Sequence, residues 1–244
     1  MPMLPYQERF YRTRTASPDW VSFTIQVKES DLWIRARRDL AAEGYARLYR
    51  HRQSIEEYIR QHPEFGEALT PLPPDPLAPA IIKEMLAAGR AAGVGPMASV
   101  AGAVAQYVGN DLLDLSPEII IENGGDCFIS CRESLTVGLF AGTSPLSRRI
   151  GVFLPPSVGS VGLCTSSGTV GHSLSFGRAD AVAILSPSAI LADAAATAVG
   201  NRVRTRQELP EAIAFAQTIP GVEGVLIVLG DQLGLWGDLE IVSL

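Results

Sequence analysis

The chain has 244 residues, of which 47% are hydrophobic and 19% charged, a composition that supports one substantial core. Its formal net charge of -6 argues against broad binding of nucleic acid through phosphate neutralisation, so we expect no nucleic-acid partner. The first residues do not form a secretory signal, and no window is long and apolar enough for a transmembrane helix. We therefore expect a cytoplasmic protein without a membrane partner.

The N-terminal third predicts a hairpin and a long helix. Trp20–Lys28 and Leu32–Arg37 alternate in strand fashion around a short turn, and Asp39–Gln61 has the apolar spacing of a helix that covers a sheet. Many of the arginines fall in this part of the chain, among them Arg35. We interpret them as a solvated face, with a bound anion as the alternative.

A segment with six prolines, residues 62–79, follows this helix and predicts a rigid connector. It either divides the chain into lobes of residues 1–92 and 93–244 or crosses the surface of a single domain, residues 1–244. We expect the single domain.

The remaining elements are predicted from helical spacing, alternation and terminating glycines. Ser186 is predicted as the N-cap and Pro187 as the first residue of one of the helices. The predicted helices are Ala80–Ala92, Ala98–Val108, Pro187–Val199 and Glu208–Gln217, and the predicted strands are Glu118–Glu122, Thr136–Phe140, Ile150–Leu154, Ala181–Leu185, Gly224–Leu229 and Leu235–Val242.

Two of these helices resemble each other in sequence. Ala103–Asn110 and Ala194–Asn201 are both rich in alanine and end in Val-Gly-Asn, and an apolar strand and a hairpin follow each of them. The similarity indicates either an internal duplication or a chance likeness of two alanine-rich helices. A duplication predicts that the two helices pack closely, with a site between them.

A loop rich in hydroxyl groups and glycines follows Cys164. Such a loop can wrap a phosphorylated ligand, because its backbone N–H groups and hydroxyl oxygens are accessible, although a plain surface loop has the same composition. Thr165, Ser166 and Ser167 are the candidate contacts. His172, in the same loop, is the candidate for acid–base catalysis near neutral pH, with a polar loop residue as the alternative.

Asp193 and Thr197 are candidate ligands for a divalent cation such as Mg²⁺. They lie four residues apart on a predicted helix and therefore point the same way. A carboxylate among so many small apolar residues is costly to bury unless it is paired or bound to a metal. The alternative is that Asp193 lies on an exposed face or stabilises a helix N-terminus.

The segment Asn123–Asp126 reads Asn-Gly-Gly-Asp and is typical of a tight hairpin turn. It has a second interpretation, in which Gly124 and Gly125 let the backbone approach a ligand and Asp126 contacts that ligand.

The three cysteines are Cys127, Cys131 and Cys164. Their odd number argues against a disulfide framework, and two cysteines four residues apart on one strand are too far apart to bridge. Each is expected as a small buried residue. Cys164, next to the hydroxyl-rich loop, is also a candidate nucleophile.

Three segments resemble successive motifs of the ApbE superfamily, in that family's order. They are Ile121–Asp126, Thr165–Gly168 and Ser188–Ala198, and together they lie within residues 93–201. Thr165–Asp180 and Gly93–Ala98 are similar to a shorter branch of that superfamily, and the similarity to this branch covers nearly the whole chain.

The resemblance implies an α+β fold of mixed, largely antiparallel sheets covered by helices. The best-known members are Mg²⁺-dependent FAD:protein FMN transferases, so it also implies FAD or another phosphorylated ligand together with Mg²⁺. The implied metal ligands are Asp193 and Thr197, with a backbone carbonyl near Ala101 and Gly102. The residues implied near the flavin nucleotide are Gly124, Gly125, Asp126, Thr165, Ser166 and Ser167.

The chain departs from the transferases at two places. They have Lys-Gly where this chain has Ala101-Gly102, and their His-Ile-Ile-Asp-Pro-like segment is absent or compressed into His172–Asp180. Three hypotheses remain. The first is a metal-dependent ligand-binding protein with FMN or nucleotidyl transfer. The second is implied by the resemblance to the shorter branch, and it is a cysteine-assisted sulfur-handling enzyme of homocysteine synthesis in anaerobes, with Cys164 as the candidate nucleophile. The third is a non-catalytic binding module. A homodimer is expected only from the prevalence of symmetric oligomers.

Overall fold

The computed structural model describes residues 19–156, 159–169 and 175–244. These residues form an eight-stranded sheet and a three-stranded sheet, and every pair of neighbouring strands in both sheets is antiparallel. The prediction of an α+β fold with largely antiparallel sheets is confirmed. None of the described helices is long and apolar enough to cross a bilayer.

The larger sheet has the strand order β1-β2-β3-β4-β7-β8-β9-β10, and the smaller has β11-β6-β5. Strands from both sides of the connector join in the larger sheet, while the choice between one domain and two lobes stays a prediction. The strands are β1 (Val21–Val27), β2 (Ser30–Ala36), β3 (Ile119–Asn123), β4 (Asp126–Ser130), β5 (Leu135–Gly138), β6 (Ile150–Leu154), β7 (Ser160–Ser166), β8 (Ala181–Ser186), β9 (Gly224–Leu229), β10 (Gln232–Gly237) and β11 (Glu240–Ser243).

Helices pack on one face of the larger sheet. The long helix predicted over Asp39–Gln61 is present from Ala41, and part of the proline-rich connector is a short helix. The helices are α1 (Ala41–Gln61), α2 (Pro63–Glu67), α3 (Ala80–Ala92), α4 (Val100–Leu112), α5 (Ala189–Gly200) and α6 (Leu209–Gln217), with short 3-10 turns at Pro96–Ser99 and Arg206–Glu208.

Successive side chains of a strand point to opposite faces of the larger sheet, and each face carries its own hydrophobic core. On β2, Leu32 and Ile34 face the helices and belong to the larger core. On β3 and β4, Ile120 and Ile129 face the opposite side and belong to a smaller core beneath the three-stranded sheet. The larger sheet is therefore covered on both faces, and polar residues on its second face lie between the two sheets.

The two similar helices, α4 and α5, pack directly against each other. A Cβ atom at Gly102 would collide with the Ala189 carbonyl oxygen and would lie 2.9 Å from Asp193 Cβ. Only glycine permits this approach of the two backbones. The close packing is the arrangement that a duplication predicts, and the duplication itself stays a prediction.

Strand β7 was not predicted, because the hydroxyl groups of Thr165 and Ser166 indicated a loop. Both residues instead lie at the end of an interior strand, paired with Ala183 and Val182 of β8. Threonine fits a pleated, half-buried surface well, so its hydroxyl does not oppose strand formation here.

The start of α5 also differs from the prediction. Ser186 ends β8 and is buried, so it cannot cap the helix. The cap is Ser188, whose Oγ accepts a hydrogen bond from the Leu191 N–H at 3.3 Å, and Pro187 lies before the helix.

The predicted last strand, Leu235–Val242, is divided in two. Gly237 has a φ of 87°, which ends β10, and the chain then enters β11 of the smaller sheet.

Candidate ligand and metal site

A cavity of about 440 Å³ lies between the larger sheet and the segment that contains β5. Its walls combine apolar side chains of both sheets with polar residues from the ends of β3, β4 and β7. The structure brings together in this lining the six residues predicted to contact a nucleotide, which are Gly124, Gly125, Asp126, Thr165, Ser166 and Ser167.

The turn between β3 and β4 forms one end of the cavity. The predicted hairpin is confirmed, with Asn123 paired to Asp126 and with φ values of 76° at Gly124 and 131° at Gly125. Only glycine adopts the second of these readily. Asn123 Nδ2 donates a hydrogen bond to the Ala101 carbonyl oxygen at 3.1 Å, which ties the turn to the start of α4.

Asp193 lies at the contact between α5 and the first turn of α4. Its side chain is buried, and its Oδ2 accepts a hydrogen bond from the Gly102 N–H at 2.9 Å. Burial raises the pKa of Asp193 to about 7, and hydrogen bonds from the backbones of Gly102 and Ala101 oppose that rise. The helix N-terminus therefore stabilises the carboxylate without offsetting the full cost of burying it.

Asp126 is a second buried carboxylate close to Asp193. Burial first, and then the charge of Asp193, raise the pKa of Asp126 well above its ordinary value, while the Thr165 backbone and the Cys164 side chain oppose the shift. Asp126 Oδ1 is fully buried and has no hydrogen-bond partner in the described part of the chain. Each of these buried carboxylates raises the free-energy cost of ionising the other, and one of them has an oxygen without a hydrogen-bond partner. Such an environment is suited to a cation.

Thr197 lies one turn after Asp193 on α5 and is half-buried. Within residues 19–156, 159–169 and 175–244, no group of three or more His, Cys, Asp and Glu side chains could hold a metal ion. A cation at this place would therefore need hydroxyl, carbonyl or ligand oxygens in addition to the two carboxylates.

The two predicted catalytic residues have different outcomes. His172 falls outside the described residues. Cys164 is completely buried on β7, and its Sγ donates to the Ala189 carbonyl oxygen at 3.3 Å. Burial raises the pKa of its thiol well above 9, with the charges of Asp126 and Asp193 acting in the same direction. These properties disfavour a nucleophilic thiolate.

All three cysteines are free, as the sequence predicted. Cys127 and Cys164 are buried, whereas Cys131 is half-buried.

The segment after β7 is held by Asp180. Its Oδ1 accepts a hydrogen bond from Thr169 Oγ1 at 3.2 Å, and its Oδ2 accepts one from the Gly230 N–H at 2.7 Å. Ser167 Oγ in turn accepts from the Thr169 N–H at 3.1 Å. This network fixes the part of the loop that lines the cavity to the β9–β10 turn.

Sequence reasoning missed Arg35 as a residue of the site. The interpretation of the arginines as a solvated face is wrong for Arg35, which is only 5% exposed and lines the cavity. The alternation of side chains along β2 could have indicated this position. The apolar Leu32 and Ile34 face one side of the strand, so the residues between and after them, Asp31, Trp33 and Arg35, share the other side.

Comparison with known proteins supports the same assignment of the fold. A family model described as AbpE bacteria matches residues 12–231. A solved structure of the Pseudomonas stutzeri flavinyl transferase ApbE, in its apo form, superposes with a TM-score of 0.57 at 13% identity, covering 89% of this chain and 94% of that one. At this identity the likeness shows the fold.

Relatives with higher identity come from methanogens. A UPF0280 protein of Methanococcus aeolicus is 41% identical over 197 residues, which is 79% of each chain. A UPF0280 protein of Methanosarcina acetivorans is 38% identical over 222 residues, covering 90% of this chain and 87% of the relative. The chain therefore belongs to the AbpE bacteria family, alongside the UPF0280 proteins and on the fold of the ApbE flavin transferases.

Proposed function

We propose that this protein binds a phosphorylated ligand, a flavin nucleotide such as FAD, in the cavity between the sheets, together with a divalent cation at Asp126 and Asp193. The observation that carries the proposal is the pair of buried carboxylates beside the Gly-Gly turn, one of which has an orphaned oxygen. Neither carboxylate has a basic partner among its described contacts, and a cation would offset the cost of burying both.

The chemistry of the donor set fits Mg²⁺. This ion prefers oxygen ligands and is commonly held by one or two carboxylates plus substrate phosphates and waters. Asp193 and Asp126 would supply the carboxylates, with Thr197 as the proposed hydroxyl ligand and the backbone near Ala101 as the proposed carbonyl ligand. When bound, the ion would neutralise charge on the phosphates of the ligand.

The phosphate contacts of the proposal come from the backbone and from hydroxyl groups. Gly124 and Gly125 present peptide groups without side chains at the end of the cavity, and the lining there includes Thr165, Ser166 and Ser167. Exposed N–H groups and hydroxyls of this kind bind anionic oxygens well. These groups lie in the same part of the cavity lining as Asp126, one of the two carboxylates that would hold the cation.

The body of the cavity suits a flat, largely apolar ligand. Ile120, Ile129 and Leu163 of the larger sheet face Leu135 and Val152 of the smaller sheet across it. A volume of about 440 Å³ is within the usual range for sites that take cofactor-sized ligands. The fold shared with a flavinyl transferase supports the choice of a flavin nucleotide over other phosphorylated ligands.

Under this proposal the reaction is transfer of the FMN part of FAD to the hydroxyl group of an acceptor, with AMP as the leaving group. His172 would be the acid–base residue that takes the proton of that hydroxyl group. The chain's own groups would position the ligand and keep water from its apolar body. Cys164 takes no part, since its thiol is buried and its pKa is raised.

The experiment that tests the proposal is calorimetric titration of the purified protein with FAD, with and without Mg²⁺. We expect Mg²⁺-dependent binding that Asp193→Asn abolishes, while Asp114→Asn, an exposed carboxylate outside the cavity, leaves it intact. FAD binding with no turnover of FAD in transferase assays would support the non-catalytic binding module. Absence of FAD binding, or equal binding by the Asp193→Asn variant, would contradict the proposed site.

A further inference from the structure

Arg35 places a buried positive charge in the wall of the cavity, and the proposed function gives it no role. Its side chain is 5% exposed, and its Nε is fully buried without a hydrogen-bond partner in the described residues. Among the described residues that line the cavity, it is the only basic one. Burying a guanidinium without a partner is costly, so an acceptor that completes its hydrogen bonds is expected.

The described surroundings of Arg35 do not provide that acceptor. Arg37, which follows the end of β2, forms an ion pair with Glu118, whereas no ion pair of Arg35 appears in the part of the chain that is described. The Arg35 Cζ lies 5.3 Å from the centre of the Trp20 ring, within the range of a cation–π interaction. An indole ring carries no acceptor oxygen, so this neighbour does not complete the hydrogen bonds of the guanidinium.

A thiolate at Cys131 would favour the charged form of Arg35, but the Cys131 thiol is not ionised near neutral pH. Burial, followed by the charges of neighbouring glutamates, raises the pKa of the Cys131 thiol above 9, although the Glu133 backbone opposes the shift. Burial correspondingly lowers the pKa of Arg35. The charge on Arg35 is therefore not balanced by a neighbouring thiolate.

The strand register separates Arg35 from the carboxylates of the site. Arg35 lies opposite Ile120, which in turn lies opposite Ile129, whereas Leu32 lies opposite Asn123 at the Gly-Gly turn. Three residues along a strand correspond to about 10 Å. Asp126, next to the Gly-Gly turn, thus lies at one end of the cavity, and the backbone of Arg35 lies about 10 Å along the strands from that end.

We propose that Arg35 binds acceptor oxygens, carbonyl or carboxylate, on the end of the ligand's flat body that lies away from the phosphates. This inference rests on the proposed function and specifies the ligand further. The ligand would carry a ring system with hydrogen-bond acceptors at one end and phosphates at the other end. For a flavin nucleotide, the acceptors are the two carbonyl groups of the pyrimidine ring. A planar guanidinium can donate two parallel hydrogen bonds to such a group.

Arg35→Met tests the assignment by removing the donors while keeping an unbranched side chain. Riboflavin carries the ring carbonyls but no phosphate, and ADP carries phosphates but no flavin ring. We expect Arg35→Met to lower the affinities for riboflavin and for FAD by the same factor, about 10- to 100-fold, because the lost hydrogen bonds involve a charged donor. ADP affinity is expected to stay unchanged.

The stability of the ligand-free protein separates a binding role from a structural one. Arg35→Met removes an uncompensated buried charge, so we expect its thermal midpoint to equal or exceed that of the wild type. Arg37→Met, the matched control two residues further along the chain, leaves Glu118 without its ion-pair partner and is expected to lower the midpoint. Arg35→Lys keeps the charge and covers the case in which the Met variant does not fold.

Two failures can be distinguished. If the wild type binds FAD but Arg35→Met and Arg35→Lys change neither the riboflavin nor the FAD affinity, the Arg35 contact is wrong and the proposed function stands. If the wild type binds neither FAD nor riboflavin, the proposed function fails together with the ligand assigned to Arg35. A fall in midpoint for Arg35→Met as large as that for Arg37→Met would show a structural role and overturn the inference.

Discussion

At the scale of single residues, the site is defined by charges that the fold buries. Asp193 is held at the N-terminus of α4, and Asp126 lies close enough for its pKa to respond to that charge. Stability is lost whenever both are ionised without a cation. A protein keeps such an arrangement when binding repays the cost, which is the physical basis of the proposed metal site.

The first prediction concerns pH and the stability of the metal-free protein. Burial raises the pKa of Asp193 from 3.8 to about 7 in the folded state. Between these values the unfolded chain binds fewer protons than the folded one, so the free energy of unfolding should fall as pH rises from about 4 to about 7. Asp126, whose pKa is also raised, acts in the same direction.

Urea denaturation across this pH range measures the effect. Asp193→Asn should flatten the dependence, because its amide does not titrate, and the exposed control Asp114→Asn should leave the slope unchanged. An equally steep dependence in Asp193→Asn would show that the carboxyl of Asp193 is not perturbed.

The second prediction concerns the reactivity of the thiols. Cys164 is buried with a raised pKa, and Cys131 is half-buried. Since thiolate character and access control alkylation, Cys131 should react first and Cys164 only as the protein opens. Mass-spectrometric timing of iodoacetamide labelling on the native protein checks this order. Rapid labelling of Cys164 would restore the cysteine mechanism as a hypothesis.

At the scale of secondary-structure elements, the contact between α4 and α5 positions the metal candidates. Gly102 allows the first turn of α4 to approach Ala189 and to donate its N–H to Asp193. The same helices are the ones whose sequences resemble each other, so their small residues serve both the packing and the site. This relation could be predicted in outline from sequence, since alanine- and glycine-rich helices pack closely.

The third prediction follows from this contact. Gly102→Ala introduces a Cβ against the Ala189 carbonyl oxygen and should cost about 1–3 kcal/mol of stability, because both atoms belong to packed backbones. Gly200→Ala on α5 is the control, since its Cβ would meet Ser166 Oγ at an ordinary 3.7 Å. Chemical denaturation of both variants gives the comparison. A loss no larger for Gly102→Ala than for Gly200→Ala would mean that the helices can separate without cost.

The elements that sequence predicted correctly are those with local causes. The β3–β4 hairpin follows from Asn-Gly-Gly-Asp, and α3 ends at Gly93 because that residue adopts a φ of 76°. Strand β7 could not be recognised in the same way, since its pairing with β4 and β8 is non-local. The proximity of Asp126 to Asp193 and the burial of Arg35 result from tertiary structure. Strand alternation shows which residues share a face, but it indicates burial or proximity only once the order of the strands in the sheet is known.

At the scale of the whole molecule, the proposed ligand site lies between the two sheets. The larger sheet supplies the Gly-Gly turn, the carboxylate Asp126 and Arg35, while the smaller sheet supplies Leu135 and Val152 on the opposite wall. A ligand in this cavity would contact both sheets and should therefore stabilise their arrangement.

The fourth prediction is a joint thermal effect of FAD and Mg²⁺. At a ligand concentration about 100 times the dissociation constant, binding to the folded state adds about 2.7 kcal/mol, or about 5–10 °C in the midpoint of a chain this size. FAD with EDTA should give a much smaller shift, because the proposed cation would offset the repulsion between the carboxylates and the phosphates. Equal shifts with Mg²⁺ and with EDTA would argue that the cation takes no part.

The buried pair Asp126 and Asp193 is proposed to hold a divalent cation, and anomalous diffraction can locate such an ion in a crystal. Crystals grown with Mn²⁺ and FAD would be measured at a wavelength where manganese scatters anomalously. We expect an anomalous peak beside the carboxylates of Asp126 and Asp193, and we expect it to be absent in the Asp193→Asn variant. A peak elsewhere, or clear density for FAD in the cavity with no anomalous peak beside Asp193, would contradict it.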